Sequence, residues 1–235
     1  GGDTVNLPIL GGTFDALAGN DRLTYTDGFV TINGGADTDT VDFTGFGSAV
    51  WVGLENVNGQ AFTRDAANLN SGAWRTIGNL SNVENLIGTA FSDYLAGDAN
   101  SNTFFYTGGV DAYDGAGGTD TVDYSLFTSA VSIELAIANP AWTRDQNNLN
   151  SGTWRSIGSL SNIENVVGTS FDDYLSGNTA DNVLTGGSGN DTFAFRPGFG
   201  DDTVTDFDPG HDVLAFDRSL FTTAIAAYNA AADDG

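Results

Sequence analysis

Cysteine is absent from this chain, and histidine occurs once, at His211. Without cysteine no disulfide can form, so an exported protein of this sequence needs another means of holding its chain together. A single histidine with no thiol ligand excludes a zinc centre built from several such side chains. The sequence also has no Gly-x-Ser-x-Gly segment, so it gives no support to a serine-hydrolase triad.

Basic side chains are scarce too: 7 Lys and Arg stand against 31 Asp and Glu, which gives a formal charge of −24. Nucleic acids and anionic membranes are held through Lys and Arg, so we expect neither as a partner. No run is long and apolar enough to cross a bilayer, and we therefore expect no transmembrane segment. Charge of this size opposes compaction unless cations neutralise it, so we expect bound cations to contribute to folding.

Glycine and aromatic residues are plentiful, with 32 Gly and 11% Phe, Trp and Tyr against only 4 Pro. An acidic disordered chain is poorer in aromatic residues, so the composition favours a folded, turn-rich, all-β protein.

A nine-residue repeat runs through three blocks of the chain. Its sixth place is almost always Asp or Asn and its eighth is apolar, and the unit at 186–194 fits the pattern G-G-x-G-x-D-x-U-x at every specified place. The sixth-place residues, which we predict to be metal ligands, are Asp21, Asp39, Asp93, Asn102, Asp111, Asp120, Asp173, Asn182, Asp191, Asp202 and Asp212. The turn glycines that we predict to bring main-chain oxygens to the same ions are Gly109, Gly118, Gly187, Gly189, Gly198 and Gly200.

Each unit predicts one turn and one short strand, because glycine accepts positive φ and the second half alternates polar and apolar residues. Two units close one coil of a flattened parallel β-helix, so units on the same edge lie about 18 residues apart. The predicted edge pairs are Asp93 with Asp111, Asn102 with Asp120, Asp173 with Asp191, Asn182 with Asp202, and Asp191 with Asp212. The predicted inward-facing eighth residues are Leu95, Phe104, Tyr113, Val122, Leu175, Leu184, Phe193, Val204 and Leu214.

The ion that such a grid favours is calcium, which takes roughly six to eight oxygens from carboxylates and main-chain carbonyls. If each well-formed pair of units holds one ion, we expect about five to ten Ca²⁺. Residues 168–216 resemble the RTX, or hemolysin-type calcium-binding repeat, family most specifically. The resemblance implies a β-roll that folds when calcium is plentiful, on a protein exported by type I secretion and therefore extracellular. Asn102 and Asn182 depart from the usual acid, and we expect their rungs to bind weakly or not at all.

A longer duplication underlies the repeat, because residues 63–97 reappear as 143–177. It divides the chain into an N-terminal degenerate β-roll block at 1–42, an insertion at 43–87, a second block at 88–123, a second insertion at 124–167, a C-terminal block at 168–218 and an amphipathic helix at 219–235, which Ser219 would cap. We expect the Asn-x-Glu-Asn segment that closes each insertion to form the first strand of the following block. The start at Gly1, without an initiator Met or a signal peptide, predicts that the chain is part of a longer protein.

Tryptophans mark the insertions. Alternation in the strand at 50–54 turns Trp51 outward, where it can contact a glycan or a protein, although isolated exposed apolar residues are common. Trp74 and Trp154 recur in both copies beside an arginine, and packing of the insertion on the roll is the more common role for such a residue than sugar binding. In the packing interpretation, Arg64 or Arg155 binds local carboxylates. Glu84 and Glu164 are candidates for additional calcium ligands, capping charges or solvated side chains.

Catalysis finds little support, because the carboxylates recur at a structural period and calcium would hold them ionised. The predicted fold is an all-β parallel β-roll, or β-helix solenoid, of nonapeptide repeats with two homologous insertions and a short C-terminal helix. The predicted function is a non-catalytic, calcium-binding structural or display segment of a secreted or surface protein. The alternatives are an accessory C-terminal module of a secreted peptidase, lipase or alginate epimerase, and an S-layer or adhesin segment.

Overall fold

The computed structural model describes residues 1–54, 59–137 and 140–220, and within these ranges the chain forms two long sheets. The nine-stranded sheet contains β1 (Thr4–Asn6), β3 (Arg22–Thr24), β5 (Thr40–Asp42), β9 (Asn85–Ile87), β11 (Thr103–Phe105), β13 (Thr121–Asp123), β17 (Asn165–Val167), β19 (Val183–Thr185) and β21 (Thr203–Val204), neighbours in that order.

The thirteen-stranded sheet contains β2 (Gly12–Asp15), β4 (Val30–Asn33), β8 (Arg75–Ser81), β7 (Gly59–Thr63), β6 (Val50–Gly53), β10 (Tyr94–Ala96), β12 (Asp111–Asp114), β16 (Arg155–Ser161), β15 (Ala141–Thr143), β14 (Val131–Glu134), β18 (Tyr174–Ser176), β20 (Thr192–Phe195) and β22 (Val213–Phe216), again in spatial order.

Successive strands of the chain alternate between the two sheets wherever the nonapeptide repeat runs, so two units make one coil. The register follows the repeat: Leu95 of β10 lies beside Tyr113 of β12, and Phe104 of β11 lies beside Val122 of β13, both in parallel pairing. Each strand is only a few residues long because a glycine-rich turn interrupts every unit. The predicted parallel β-roll is confirmed.

The core is a thin stack of the eighth-place side chains between the two sheets. Of the nine predicted members, Leu95, Phe104, Tyr113, Val122, Leu175, Leu184 and Phe193 are fully or almost fully buried. The prediction is wrong for Leu214, which is 40% exposed, and Val204 is only partly buried. Both lie on the last strand of their sheet within the described residues, where no further coil covers them.

Each insertion widens one coil within the thirteen-stranded sheet. In the first, β7 pairs antiparallel with both β6 and β8, while β8 pairs parallel with β4 and β6 pairs parallel with β10. The second repeats this arrangement with β14, β15 and β16 between β12 and β18. The solenoid therefore runs through both insertions without a break in either sheet.

The strand that follows each insertion begins at the last Asn of the Asn-x-Glu-Asn segment, at Asn85 in β9 and Asn165 in β17, and it continues the nine-stranded sheet. β9 lies between β5 and β11, and β17 lies between β13 and β19. The reason is that the nine-stranded sheet receives one strand per coil even where the other sheet receives three.

The C-terminal helix falls mostly outside the described residues, since only Ser219 and Leu220 show its first turn. The predicted cap is wrong: Asp217 Oδ1 accepts hydrogen bonds from both the main-chain N–H and the hydroxyl of Ser219, at 2.8 and 2.6 Å. Asp217 is the N-cap because its carboxylate accepts the N–H of the residue two positions later, at the start of the helix. Within the described residues no helix is long and apolar enough to span a membrane.

Candidate metal centre

Two ladders of side-chain oxygens follow the roll, one along each sheet edge where the turns enter the strands. In each rung, the main-chain N–H of one sixth-place residue donates to the carboxylate of the residue one coil later. Asp93 N–H donates to Asp111 Oδ1 at 2.9 Å, and Asn102 N–H donates to Asp120 Oδ1 at 2.7 Å. All five predicted edge pairs make this bond, including those of Asp173 with Asp191, Asn182 with Asp202 and Asp191 with Asp212.

We call the ladder beside the nine-stranded sheet ladder 1. Its members in order are Asp3, Asp21, Asp39, Glu84, Asn102, Asp120, Glu164, Asn182 and Asp202. Asp21 N–H donates to Asp39 Oδ1 at 2.9 Å, so the N-terminal block keeps the pattern of the others. Ladder 2, beside the thirteen-stranded sheet, contains Asp93, Asp111, Asp173, Asp191 and Asp212.

The last coils keep the ladder despite their irregular sequence spacing. Asp202 lies 20 residues after Asn182, and Asp212 lies 21 residues after Asp191, yet both make the same rung bond as the units spaced by 18. The two or three additional residues are therefore accommodated in the turns rather than in the strands.

Ladder 1 carries buried carboxylate oxygens that have no hydrogen-bond partner among the described residues. They are the Oδ2 atoms of Asp21, Asp39, Asp120 and Asp202. Asp39 is 0% and Asp120 1% exposed, so water cannot readily compensate for these atoms. An unpaired buried carboxylate costs several kcal/mol unless a cation or donor meets it. The orphaned oxygens thus fit a bound cation.

Main-chain oxygens converge on the same places. A Cβ placed on Gly115 would meet the carbonyl oxygen of Asn162 and Oδ2 of Asp120, and one on Gly34 would meet the carbonyl oxygen of Asn82 and Oδ2 of Asp39. Glycine leaves that space open. A set made only of carboxylate and carbonyl oxygens is the donor chemistry of a hard cation such as Ca²⁺.

No group of three or more His, Cys, Asp or Glu side chains converges on one point in the described part of the chain. A cation here would therefore take the rest of its oxygens from the main chain or from water. This agrees with the glycine-rich turns, which bring carbonyls closer than a side chain at the same position would allow.

Ladder 2 satisfies part of its carboxylates by itself. Thr89 donates from both its N–H and its hydroxyl to Asp93 Oδ2, at 2.6 and 3.0 Å. Thr169 does the same for Asp173 Oδ2, through its N–H at 2.5 Å and its hydroxyl at 3.0 Å. These two aspartates are the first ladder residues of the blocks that follow the insertions. Their Oδ2 atoms accept hydrogen bonds, unlike the Oδ2 atoms named above for ladder 1. Sequence reasoning overlooked the threonines, although Gly-Thr-x-x-x-Asp occurs in both copies of the duplication.

In the rungs that contain asparagine, hydrogen bonds to neighbouring residues satisfy the side-chain amide. Asn102 Oδ1 accepts from Asp98 N–H, and its amide donates to the carbonyl of Glu84, at 2.9 and 3.0 Å. Asn182 repeats this with Asn178 and with the carbonyl of Glu164. The amide supplies a donor that a carboxylate lacks, so these rungs close without a cation.

Burial raises the pKa of the ladder carboxylates. Desolvation, partly opposed by hydrogen bonds from the main chain, raises the pKa of Asp93 and of Asp173 to about 7. Desolvation raises the pKa of Asp120 and Asp191 to about 6, with neighbouring carboxylates adding to the rise. It also raises the pKa of Asp111 well above its usual range, with Asp93 as the second cause. Ionisation of the ladder is thus unfavourable until positive charge compensates it.

All six predicted turn glycines have positive φ. At Gly187, with φ of +99°, a Cβ would collide with the carbonyl oxygen of Thr169, and at Gly189, with φ of +140°, with the carbonyl of Phe171. These turns therefore require glycine for conformation and for close approach to the preceding coil.

The tryptophans lie on the outer face of the thirteen-stranded sheet. Trp51 stacks on Tyr94 at 5.5 Å between ring centroids and meets the edge of Phe62 at 5.6 Å, while Val50 and Val52 are buried on the opposite face. Trp51 points outward as predicted, but it packs in an aromatic cluster rather than standing alone. Trp74 is 49% exposed and borders the same cluster through Phe62.

The arginine partners differ from one part of the prediction. Arg155 binds Asp145 at 2.6 Å, as expected. Arg64 instead lies over the Trp74 ring, 4.4 Å from its centroid, and Arg144 does the same over Trp154. In the first insertion it is Arg75 that binds a carboxylate, that of Asp65. The planar guanidinium packs on the indole face, which leaves the ion pair to the next arginine.

Comparisons with known families agree with this geometry. Residues 110–229 match the model described as peptidase M10 serralysin C terminal. Residues 15–45 and 81–113 match the RTX calcium-binding nonapeptide repeat. No curated protein matches the chain.

Proposed function

The chain belongs to the RTX family of nonapeptide-repeat proteins, with a segment of the serralysin C-terminal type, and from this premise we propose that it is a calcium-dependent folding module of a type I secreted protein. Its work is structural: the roll forms where calcium is abundant and holds or presents the segments joined to it. The supporting observation is the set of orphaned, buried Oδ2 atoms on ladder 1.

Calcium is expected to drive folding because the ladder is energetically unfavourable when it is folded without the ion. Burial and mutual repulsion raise the pKa of Asp120 and Asp191 to about 6, and the chain has a formal charge of −24. Bound calcium supplies positive charge to these oxygens. Because the ladder exists only in the folded coils, the ion binds the folded form and stabilises it by mass action.

Within this function the chain's own residues have distinct tasks. The turn glycines allow the coils to approach, the rung bonds fix each Oδ1, and the orphaned Oδ2 atoms with the turn carbonyls hold the cation. Asp93 and Asp173, which Thr89 and Thr169 satisfy, align coils beside the insertions and carry less of the ion binding.

A calcium titration tests the proposal. Circular dichroism should show a cooperative gain of β structure with Ca²⁺ and little response to Mg²⁺ at the same concentration, because Mg²⁺ requires near-ideal octahedral geometry and retains its water. Excess chelator should reverse the gain. Equal β content and equal thermal stability in chelator and in calcium would refute the proposal.

We also propose that this chain is a non-catalytic module that follows a catalytic domain in its parent protein. The match over 110–229 to a serralysin C-terminal model supports an accessory position, as opposed to an S-layer or adhesin segment. The test is to express the whole parent protein, with and without residues 1–235, and to assay both products for hydrolase activity. Activity from residues 1–235 alone would contradict it.

A second role is favoured by the aromatic cluster of the first insertion. Trp51, Phe62 and Trp74 line a shallow groove of about 350 Å³, and Trp154 with Trp142 lines a similar groove on the second copy. We propose that these grooves bind the face of a neutral sugar, since the charge of −24 disfavours an anionic polymer. Titration with a neutral oligosaccharide in calcium should quench tryptophan fluorescence in the native chain and less in a Trp74→Ala, Trp154→Ala variant. Equal quenching in both, or none in either, would overturn this proposal.

A further inference from the structure

Each insertion places a glutamate into ladder 1 where the nonapeptide repeat has no unit. Asp39 N–H donates to Glu84 Oε2 at 2.8 Å, and Asp120 N–H donates to Glu164 Oε2 at 2.9 Å. The two glutamates lie 45 and 44 residues after their partners, because a whole insertion separates them. A glutamate therefore occupies the rung place that Asp or Asn fills elsewhere.

The aspartate of each pair still has an unused oxygen. Oδ2 of Asp39 and Oδ2 of Asp120 have no hydrogen-bond partner among the described residues, and the two side chains are among the most buried polar groups of the protein. The pairing with glutamate thus satisfies one N–H but leaves a buried, charged oxygen at both insertions. A second carboxylate nearby makes this arrangement less favourable unless a cation joins it.

A main-chain carbonyl completes the arrangement in both copies. Asn82 and Asn162 have positive φ, 49° and 52°, an uncommon conformation for a residue other than glycine. Their carbonyl oxygens face Gly34 and Gly115, and the Oδ2 atoms of Asp39 and Asp120 face the same two glycines. Two oxygens of different origin therefore converge in front of each glycine.

A polar hollow lies beside the Asn-x-Glu segment of each insertion. The first, of about 230 Å³, is lined by Asn82, Glu84 and Asp98 among others. The second, of about 380 Å³, is lined by Asn162, Glu164 and Asn178 among others. Asn82 with Glu84, and Asn162 with Glu164, border these hollows, whereas Asp39 and Asp120 do not line them. Calcium accepts water for the ligands that the protein does not supply.

We propose that the Asn-x-Glu segments of the two insertions complete two calcium sites that the nonapeptide repeat alone does not supply, from Asp39, Glu84 and the Asn82 carbonyl in one copy and from Asp120, Glu164 and the Asn162 carbonyl in the other. The proposal rests on the proposed function and extends it. In this proposal each insertion has a role in calcium binding. Its glutamate and an aspartate of the preceding coil bind the same ion, although the strands of the insertion separate them in sequence.

The competing explanation is that the glutamates only accept the N–H of the preceding rung. Glutamine separates the two, because its amide oxygen accepts that N–H equally well but carries no charge. The experiment uses the full chain with Glu84→Gln and Glu164→Gln, alone and together, and counts bound Ca²⁺ by equilibrium dialysis with metal analysis. Glu134→Gln is the matched control, since Glu134 lies outside both ladders and pairs with Arg196.

We expect one fewer bound ion in each single variant and two fewer in the double variant, while Glu134→Gln keeps the native number. Circular dichroism at saturating calcium verifies that each variant is folded, and the two single variants retain one intact copy of the site if the double variant does not fold. Native stoichiometry and affinity in folded Glu84→Gln and Glu164→Gln would overturn this inference and leave the calcium module intact. A native chain that binds no calcium would instead refute the proposed function itself.

Discussion

The main-chain N–H of Asp173 donates to Oδ1 of Asp191, 18 residues and one coil later, at 2.8 Å. Asp191 in turn donates its own N–H to Asp212 Oδ1 at 2.9 Å. One aspartate therefore joins three successive coils through hydrogen bonds that belong to no strand. The same relationship along both edges makes the roll a pair of oxygen ladders that hold parallel strands in register.

Replacing Asp191 by Asn tests the ladder where it serves two rungs. The amide oxygen retains the hydrogen bond from Asp173, but the negative charge is lost, so calcium binding at two neighbouring coils should weaken. We expect the calcium concentration at half-folding to rise and the free energy of unfolding in calcium to fall by about 1–3 kcal/mol, the range for a charged hydrogen-bonding group. Calcium titration followed by circular dichroism measures both.

Asp37→Asn is the matched control for that variant. Asp37 lies outside the sixth-place grid, and Asn tolerates its φ of +78°. Among the described residues its carboxylate accepts a hydrogen bond from Gly19 N–H, at 3.2 Å on the exposed surface. Equal effects of the two substitutions would show that total charge, rather than the ladder, governs folding.

Gly187→Ala should prevent close approach of two coils. The φ of +99° is strained for alanine, and the new Cβ would collide with the carbonyl oxygen of Thr169. We expect a loss of more than about 1 kcal/mol in the free energy of unfolding, measured by chemical denaturation in calcium.

Gly198→Ala separates backbone strain from collision. Gly198 has a φ of +81°, but among the described residues a Cβ there would meet just Thr179 Cγ2, at an ordinary contact distance of 3.8 Å. This variant should therefore lose less stability than Gly187→Ala. An equal loss would mean that strain alone accounts for both, and that the approach of the Thr169 carbonyl contributes nothing.

The sequence predicts the roll, its 18-residue rungs and the inward side chains because all three follow from a strict period. It does not reveal that Glu84 and Glu164 enter ladder 1, since 45 and 44 residues separate each from its rung partner. That pairing depends on the three antiparallel strands of each insertion, after which the chain returns to the edge that carries ladder 1. A nonlocal return of this kind leaves no trace in local periodicity.

Chain ends were also difficult to predict from the period alone. Leu214 fits the inward pattern but is 40% exposed, because no further coil covers it within the described residues. Similarly, Ser219 fits a helix cap, yet Asp217 accepts its N–H. The first case depends on which coil lies beside the residue, and the second on the residue two positions earlier in the chain.

Thr169→Val tests whether ladder 2 is partly independent of calcium. The valine keeps the shape and the N–H but removes the hydroxyl that lies 2.9 and 3.0 Å from the two carboxylate oxygens of Asp173. We expect a loss of about 1–3 kcal/mol in the free energy of unfolding, the cost of a buried acceptor without its donor. The residual β structure in chelator should fall as well.

Thr203→Val serves as its control, since Thr203 is exposed on β21. It should change the free energy of unfolding by less than about 0.5 kcal/mol. Full recovery of Thr169→Val by raised calcium would contradict a calcium-independent rung, because added ion would then replace the missing hydroxyl.

Acidification in chelator should promote folding rather than oppose it. The pKa of Asp93 and Asp173 is raised to about 7 and that of Asp120 and Asp191 to about 6 in the folded chain, against 3.8 when unfolded. Between these values the folded state holds more protons than the unfolded state, so stability falls as pH rises through this window. The ion pairs of Asp65 and Asp145 with arginine lower the pKa of both carboxyls. Their contribution to stability is therefore lost only at pH values below this window.

The β-sheet signal in chelator should therefore rise between about pH 7.5 and about pH 5. In limiting calcium the sign should reverse, because protons compete with the ion for the same carboxylates and weaken its binding. Circular dichroism across this range, with and without calcium, measures both curves. A decrease of β structure on acidification in chelator would show that the buried carboxylates do not retain their protons in the folded roll, which would remove the electrostatic reason for its dependence on calcium.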